Sequence, residues 1–345
     1  MKYFLLLVLS ILCVQQGIAQ YTLIPDSNFE QALIDLNIDS EGTLDGQVLT
    51  NDINTITYLD VNDKNIEDLT GIEGFTSLIT LFCWNNNLSF LDVTNNILLE
   101  ELFCDNNNFT TPLDLSSNIN LRLLTCAVAN LSSLDVSNNL LLEILFCGNE
   151  IDILPFNIIT ELDLSNNINL RFLSVYDLFT LESLDLSNNP NLEGLDAGAA
   201  WELSVLSELN LANGNNETLI DVSTLYNYNL FCIEVDDEEA ATNGDYPYSE
   251  WFINEEASFS EDCNLGVEDV LAKQITFYPN PVQNVLHIQS QVPIKNIEVN
   301  DVLGHLVLEQ QNAVSQIDLS QLASGLLFIK LETDQGFLIK KVLKK

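Results

Sequence analysis

Residues 81–104 read LFCWNNNLSFLDVTNNILLEELFC, and two apolar steps within them recur along the chain. The first comprises Leu59-Asp60-Val61, Leu81-Phe82-Cys83, Leu102-Phe103-Cys104, Leu124-Thr125-Cys126, Leu145-Phe146-Cys147, Leu173-Ser174-Val175 and Leu195-Asp196-Ala197. Its third member returns after 22, 21, 22, 21, 28 and 22 residues. The second row interleaves with it as Leu91-Asp92-Val93, Leu113-Asp114-Leu115, Leu134-Asp135-Val136, Leu162-Asp163-Leu164, Leu184-Asp185-Leu186 and Leu209-Asn210-Leu211. Three residues after its last apolar position stand Asn96, Asn118, Asn139, Asn167 and Asn189. Such a period specifies a solenoid whose coils nest their leucines on the coil before. Alternation sends every second side chain of a short strand into the core. The recurring Asn supplies an amide for turn backbone groups that would otherwise be buried without a partner.

The two columns resemble the leucine-rich repeat family in its 21–22-residue bacterial form, over about residues 56–235 and roughly seven coils. That resemblance implies an α/β-type leucine-rich-repeat solenoid built mostly of short strands and loops. Two departures stand out. The seven-residue excess between Cys147 and Val175 is placed as a bulged loop around residues 152–160, including Pro155. The Asn of the first row, present at Asn86 and Asn107, gives way to Ala129 and Glu150, which leaves open which row lines the concave face. Open solenoid ends expose core and strand edges, so caps are expected at 20–55 and, with a linker, at 236–272. Ser27 with Glu30 reads as a capping box, and Phe29, Ala32, Leu33 and Leu36 follow at helical spacing, so one N-terminal capping helix is expected over 26–37. Asp45, Asp52, Asp60 and Asp63 lack the spacing of an EF-hand loop and read as a solvated acidic face.

Composition narrows the function. The 345 residues hold 51 acidic and 11 basic side chains, for a net charge of −40, yet 47% are hydrophobic and the mean hydropathy is +0.15. An acidic disordered tail is excluded by that apolar content. A nucleic-acid or anionic-membrane binder is excluded by the scarcity of clustered Lys and Arg. Between Gln20 and Gly266 the only basic residues are Lys64, Arg122 and Arg171, whereas seven basic and eight acidic residues follow Val267. Residues 1–19 read as a secretory signal, with Lys2 before an apolar stretch from Tyr3 to Val14 and Gly17-Ile18-Ala19 as the cleavage site. The stretch is too short for a transmembrane span, and no second stretch is long enough for one. Ser10-Ile11-Leu12 lacks the small residue that a lipoprotein cysteine at Cys13 would need.

Cys83, Cys104, Cys126 and Cys147 form one inward column, one per coil, and read as small buried apolar side chains because Val175 and Ala197 continue it. No metal site follows from thiols set in a line. Cys232 and Cys263 bracket a polar segment beyond the repeats in an exported chain, and a disulfide between them is expected, contributing about 3–4 kcal/mol on the chain-entropy account.

Beyond 264 the sequence changes character. Phe277-Tyr278-Pro279-Asn280-Pro281 is a turn signature. The stretches 285–288, 294–299, 307–309, 317–319, 326–331 and 337–342 alternate as short strands, which read as a small all-β sandwich. The same blocks, with residues 301–304, Leu322-Ala323-Ser324-Gly325-Leu326 and the terminal Lys340-Lys341-Val342-Leu343-Lys344-Lys345, resemble the type A C-terminal sorting domain of type IX secretion substrates in the Bacteroidetes. The resemblance spans about 273–345. It implies a partner in the type IX machinery and transport across the outer membrane. It also implies a domain that is commonly removed, with cargo released or fixed to the cell surface.

Chemistry is scarce. Both histidines, His287 and His305, lie in the C-terminal part, and no Gly-rich phosphate loop is present, so neither enzyme activity nor a cofactor is expected. Binding is expected instead. The outward positions of the first row carry Phe82, Phe103, Thr125, Phe146 and Ser174, and those just past its third member carry Trp84, Asp105, Ala127, Gly148 and Tyr176. Exposed aromatics grouped in this way mark interaction surfaces. Phe82, Trp84, Phe103, Phe146 and Tyr176 are therefore the expected ligand contacts of a secreted or cell-surface binding protein, for an extracellular protein or a glycan. A hydrolase on a repeat scaffold and a purely structural envelope protein are the alternatives. In the second row Asp92, Asp114, Asp135, Asp163 and Asp185 line up outward. There they either bind cations weakly or are held by hydrogen bonds to neighbouring Ser or backbone groups.

Overall fold

The computed structural model describes residues 20–150, 154–200, 204–263, 274–301, 305–311, 315–333 and 336–345. The expected signal at 1–19, with Cys13, lies outside them, as do residues 152 and 153 of the expected bulge.

The chain opens with β1 (Tyr21–Leu23), α1 (Ser27–Asp35), β2 (Gln47–Leu49) and α2 (Thr50–Ile53). α1 buries Phe29, Ala32 and Leu33 against the first coil, as their spacing requires. The cap differs from the expected Ser27–Glu30 box. Asp26 is the N-cap, its Oδ1 accepting from the backbone N of Asn28 and Phe29, while its Oδ2 accepts from Glu67 and Asp68 of the first coil. Glu30 is buried and turns away from the helix terminus, accepting from the N–H groups of Asp45 and Gly46. A carboxylate that can serve the unpaired donors of the loop before β2 is worth more there than at an end already capped.

Short strands then repeat as β3 (Tyr58–Asp60), β4 (Thr80–Phe82), β5 (Glu101–Phe103), β6 (Leu123–Thr125), β7 (Ile144–Phe146), β8 (Phe172–Ser174), β9 (Ser183–Asp185), β10 (Gly194–Asp196), β11 (Glu208–Asn210), β12 (Asp221–Ser223), β13 (Cys232–Glu234) and β14 (Ser258–Ser260). The first row forms an eight-stranded parallel sheet, β3-β4-β5-β6-β7-β8-β10-β12, and the end of the second row a four-stranded one, β9-β11-β13-β14. The coils exceed the roughly seven read from the Leu-x-Leu pattern because the step at β12 is Val222-Ser223-Thr224, with Val and Thr rather than Leu and an apolar residue at the inward positions. The parallel ladder also runs on to Ser260, since β14 pairs in register with β13.

The central residue of every first-row strand is buried, from Leu59 and Leu81 through Leu195 to Val222. Asn96, Asn118, Asn139, Asn167 and Asn189 are fully buried, and each Nδ2 donates to two carbonyls of the preceding coil, as Asn118 does to Val93 and Asn96 at 3.0 Å. A stack of coils leaves turn carbonyls inside the core, and this amide is what satisfies them.

After α3 (Glu238–Asn243), the rings of Tyr248, Trp251 and Phe259 close the last coil, with Trp251 Nε1 donating to Leu219 O at 2.8 Å. The expected disulfide Cys232–Cys263 is present and ties β13 to the residues after β14. Cys83, Cys104, Cys126 and Cys147 are free and buried, and burial pushes their thiols well above the ordinary range.

The C-terminal part consists of β15 (Ile275–Tyr278), β16 (Val285–Ser290), β17 (Ile294–Asn300), β18 (Leu306–Gln311), β19 (Gln316–Asp318), β20 (Gly325–Thr333) and β21 (Gly336–Lys344). They form two antiparallel sheets, β15-β16-β19 and β18-β17-β20-β21, over a separate core that includes Leu286, Ile297, Ile317 and Ile329. The stretch expected as a turn at Phe277 begins as strand β15, which pairs with β16 before the chain turns at Pro279.

Candidate functional site: an aromatic groove on the first-row sheet

Parallel pairing in register turns sequence columns into files of side chains. Phe103, Thr125, Phe146, Ser174, Asp196 and Ser223 are successive Cα partners from β5 to β12 and form one outward file. Beside it, two residues earlier on each strand and so on the same face, run Ile144, Phe172, Gly194 and Asp221. A third file, just past the strands, holds Trp84, Asp105, Ala127, Gly148 and Tyr176.

Residues of these files line an open groove of about 930 Å³. Its floor is made of short side chains at Thr125, Ala127, Gly148, Ser174, Gly194 and Ser223, and its walls are Trp84, Phe103, Phe146, Phe172 and Tyr176. Gly148 is required by close approach to a neighbouring backbone, and Gly194 packs tightly against a ring. A Cβ on Gly148 would lie 2.3 Å from the carbonyl oxygen of Tyr176, and one on Gly194 would lie 3.0 Å from the Phe172 ring.

Of the five aromatics singled out by sequence, Trp84, Phe103, Phe146 and Tyr176 line this groove together. Phe82 does not. It lies outside the groove, stacked on Phe103 with ring centroids 4.2 Å apart and planes 6° from parallel, and Tyr58 extends the stack at 5.4 Å. With its amide turned so that the oxygen faces the indole, Asn62 accepts from Trp84 Nε1 at 3.0 Å and donates to Asp60 Oδ1 at 2.6 Å. Phe172 escaped the sequence reading because it opens its strand. The alternation that sends Leu173 inward sends both neighbours outward, so the signal was there in the same pattern.

Every charged residue in the lining is acidic: Asp105, Glu150, Asp196 and Asp221. Asp105 accepts from Thr125 Oγ1 and from Ala127 N at 2.8 Å, yet burial still holds its carboxyl above the usual range. Asp196 accepts from Gly198 N at 3.2 Å and is likewise raised, by burial first and by Asp221 beside it. The two arginines of the acidic half are engaged elsewhere. Arg122 lies 2.6 Å from Glu143, Arg171 lies 2.7 Å from Glu193, and both reach a second carboxylate at about 4 Å, in the file just before the strands.

The second row's aspartates are held locally. Asp92, Asp114, Asp135, Asp163 and Asp185 each accept from the backbone N two residues on, and Asp92 and Asp114 also from the hydroxyls of Thr94 and Ser116 at 2.6 Å. Bonds from Ser116, Ser137 and Ser165 hold the carboxyls of Asp114, Asp135 and Asp163 below the usual range. Among the described residues no group of three or more His, Cys, Asp or Glu side chains is arranged to hold a metal ion.

Comparison with known proteins agrees with both halves. Residues 276–345 match the family described as a secretion system C-terminal sorting domain. No curated protein matches the chain in sequence. Among solved structures, an internalin (inlF) from Listeria monocytogenes is similar at 20% identity over 72% of this chain and 74% of that one, with a TM-score of 0.50. Internalin C2 of the same organism is similar at 19% identity over 70% and 99% of the two chains, with a TM-score of 0.48. The chain is a leucine-rich-repeat solenoid followed by a type IX sorting domain, which marks it for secretion or attachment at the outer surface. No helix among the described residues is long and apolar enough to cross a membrane.

Proposed function

We propose that this secreted chain is a non-enzymatic binding or adhesion protein that captures an extracellular protein or glycan on its first-row sheet. Trp84, Phe103, Phe146, Phe172 and Tyr176 are the contacts within the groove, and Phe82 acts from outside it by backing the Phe103 ring. The carrying observation is the groove itself, with aromatic walls over a floor of short side chains on an otherwise strongly acidic face. Large rings left at a water-facing groove lose hydrophobic free energy that a ligand recovers, and hot spots of binding are enriched in such residues. The C-terminal sandwich serves export, through recognition by the type IX machinery.

The repeat half has no histidine. The carboxylates of the groove sit on a broad, open sheet rather than in an enclosed cleft, which speaks against the hydrolase alternative. The test is an array of glycans and extracellular proteins probed with the secreted chain and with its Phe103→Ala/Phe146→Ala variant. Retention of a ligand that the double variant loses by tenfold or more supports the reading. A ligand held equally by both chains, or turnover abolished by one carboxylate substitution, refutes it.

A further inference from the structure

We infer that the occupant of the groove is a basic, extended polypeptide segment that runs across the strands and places two cationic side chains against Asp105 and Asp196. This rests on the proposal that the groove binds a ligand and narrows it to one chemistry.

The groove provides a slot for the first cation. Phe103 and Phe146 stand two strands apart in one file with only Thr125 between them. At about 4.8 Å per strand their rungs are roughly 10 Å apart, which leaves space between two rings for one aliphatic stem or one guanidinium plane. The carboxylate of Asp105 borders the slot, bonded to the hydroxyl of Thr125. The second cation meets Asp196, three strands beyond Thr125 in the same file, with Asp221 beside it.

Charge decides between a basic segment and a neutral one. Any ligand that fills the groove removes water from carboxylates that burial already disfavours as anions. A neutral ligand such as a sugar deepens that cost, whereas a cation reverses its sign. Nothing in the lining competes for those carboxylates, since its charged residues are all acidic and Arg122 and Arg171 are paired with glutamates outside it. The parallel stack of Phe82 on Phe103 also occupies one face of each ring, reducing the flat surface open to a pyranose. At longer range, the net charge of −40 draws a basic partner and repels an acidic one.

Geometry fixes the spacing. Three strand separations are roughly 14 Å, which an extended chain covers in about four residues, so both cations fall on the same side of it. The probes are glycine–serine peptides carrying two arginines four positions apart, the same pair three positions apart, and a citrulline version of the first, read by fluorescence anisotropy on the secreted chain. A neutral gluco-oligosaccharide is the fourth probe. The four-spaced peptide is expected to bind at least tenfold more tightly than the other two peptides. Its affinity should fall as salt is raised, and by tenfold or more in Asp105→Asn and in Asp196→Asn, each of which keeps an oxygen for its backbone donor.

Equal binding of the arginine and citrulline peptides, or no binding of either, overturns the inference. If the oligosaccharide binds instead and Phe103→Ala/Phe146→Ala removes it, the groove remains a binding site and only the cationic occupant is refuted. If a probe binds and the phenylalanine variant leaves it unchanged, both readings fall.

Discussion

Asn157 Nδ2 donates to the carbonyl of Cys126 at 2.8 Å across 31 residues of sequence. It donates also to Cys147 O at 2.9 Å, while its Oδ1 accepts from the backbone N of Ala129 and Leu131. Asn86 and Asn107 make the same kind of bonds in earlier coils, each donating to a third-position carbonyl of its own coil and of the coil before. The seven extra residues thus displace the ladder Asn from position 150 to 157. Asn157→Ala leaves several buried backbone groups without a partner and is expected to cost about 2–3 kcal/mol. Leu154→Ala in the same loop, at a side chain 71% exposed, should change stability by less than about 0.5 kcal/mol. Urea unfolding of the two variants compares them, and equal losses would contradict the assignment.

Gly148→Ala tests the floor. The added methyl would stand 2.3 Å from the carbonyl oxygen and 2.6 Å from the nitrogen of Tyr176, both backbone atoms. A loss of about 1–3 kcal/mol is expected, with weaker ligand binding as Tyr176 shifts. Thermal unfolding with no change in midpoint would show that the two coils are farther apart.

Leu102→Ala and Phe103→Ala should separate core from surface. Leu102 is fully buried, and its truncation is expected to cost about 2–5 kcal/mol. Phe103 is half-buried and gives up a stack on Phe82, so its truncation should cost about 0.5–1.5 kcal/mol from that contact while removing most of the binding. Calorimetry and ligand titration on the same samples decide the matter.

Asp105→Asn should make stability less dependent on pH. Burial raises the carboxyl of Asp105 in the folded chain, so its favourable contribution is present below the unfolded value and is lost as pH rises through the folded one. The asparagine variant lacks that loss. Its stability relative to the parent should therefore increase from about pH 3.8, the model-compound value, up through the folded pKa and then level off. Denaturation midpoints taken across this range would show the opposite slope if the carboxyl were instead lowered.

Reduction of Cys232–Cys263, or Cys232→Ser/Cys263→Ser, should weaken the C-terminal end of the solenoid by about 3–4 kcal/mol. Faster hydrogen exchange in β13 and β14 than in β5 and β6 would locate the loss.

The repeat was legible because parallel coils impose one inward position per rung. Leu81, Leu102, Leu124 and Leu145 had to be leucine or its like, and period and burial coincide. The aromatic strip followed from the same alternation, since a residue between two inward neighbours has nowhere else to point. Even the displaced amide could have been found by counting backward, because eighteen residues separate Asn86 from Cys104 and eighteen separate Asn157 from Val175. The cap was misread at Ser27 because two adjacent residues were chemically fit for the role, and only the approach of the first coil selected Asp26.

What the sequence determined by itself is everything local or periodic: the short inward strands, the ladder amides, the sandwich strands and the sorting blocks. Each depends on side chains a few residues apart. Tertiary structure decided which outward residues share a surface. The 28- and 22-residue returns already put Phe103, Phe146 and Asp196 in one row, but only the packed coils turn that row into a groove that takes in Phe172 and Asp221 and leaves Phe82 outside. Register across coils is a property of the packed interior, and the groove inherits its shape from it.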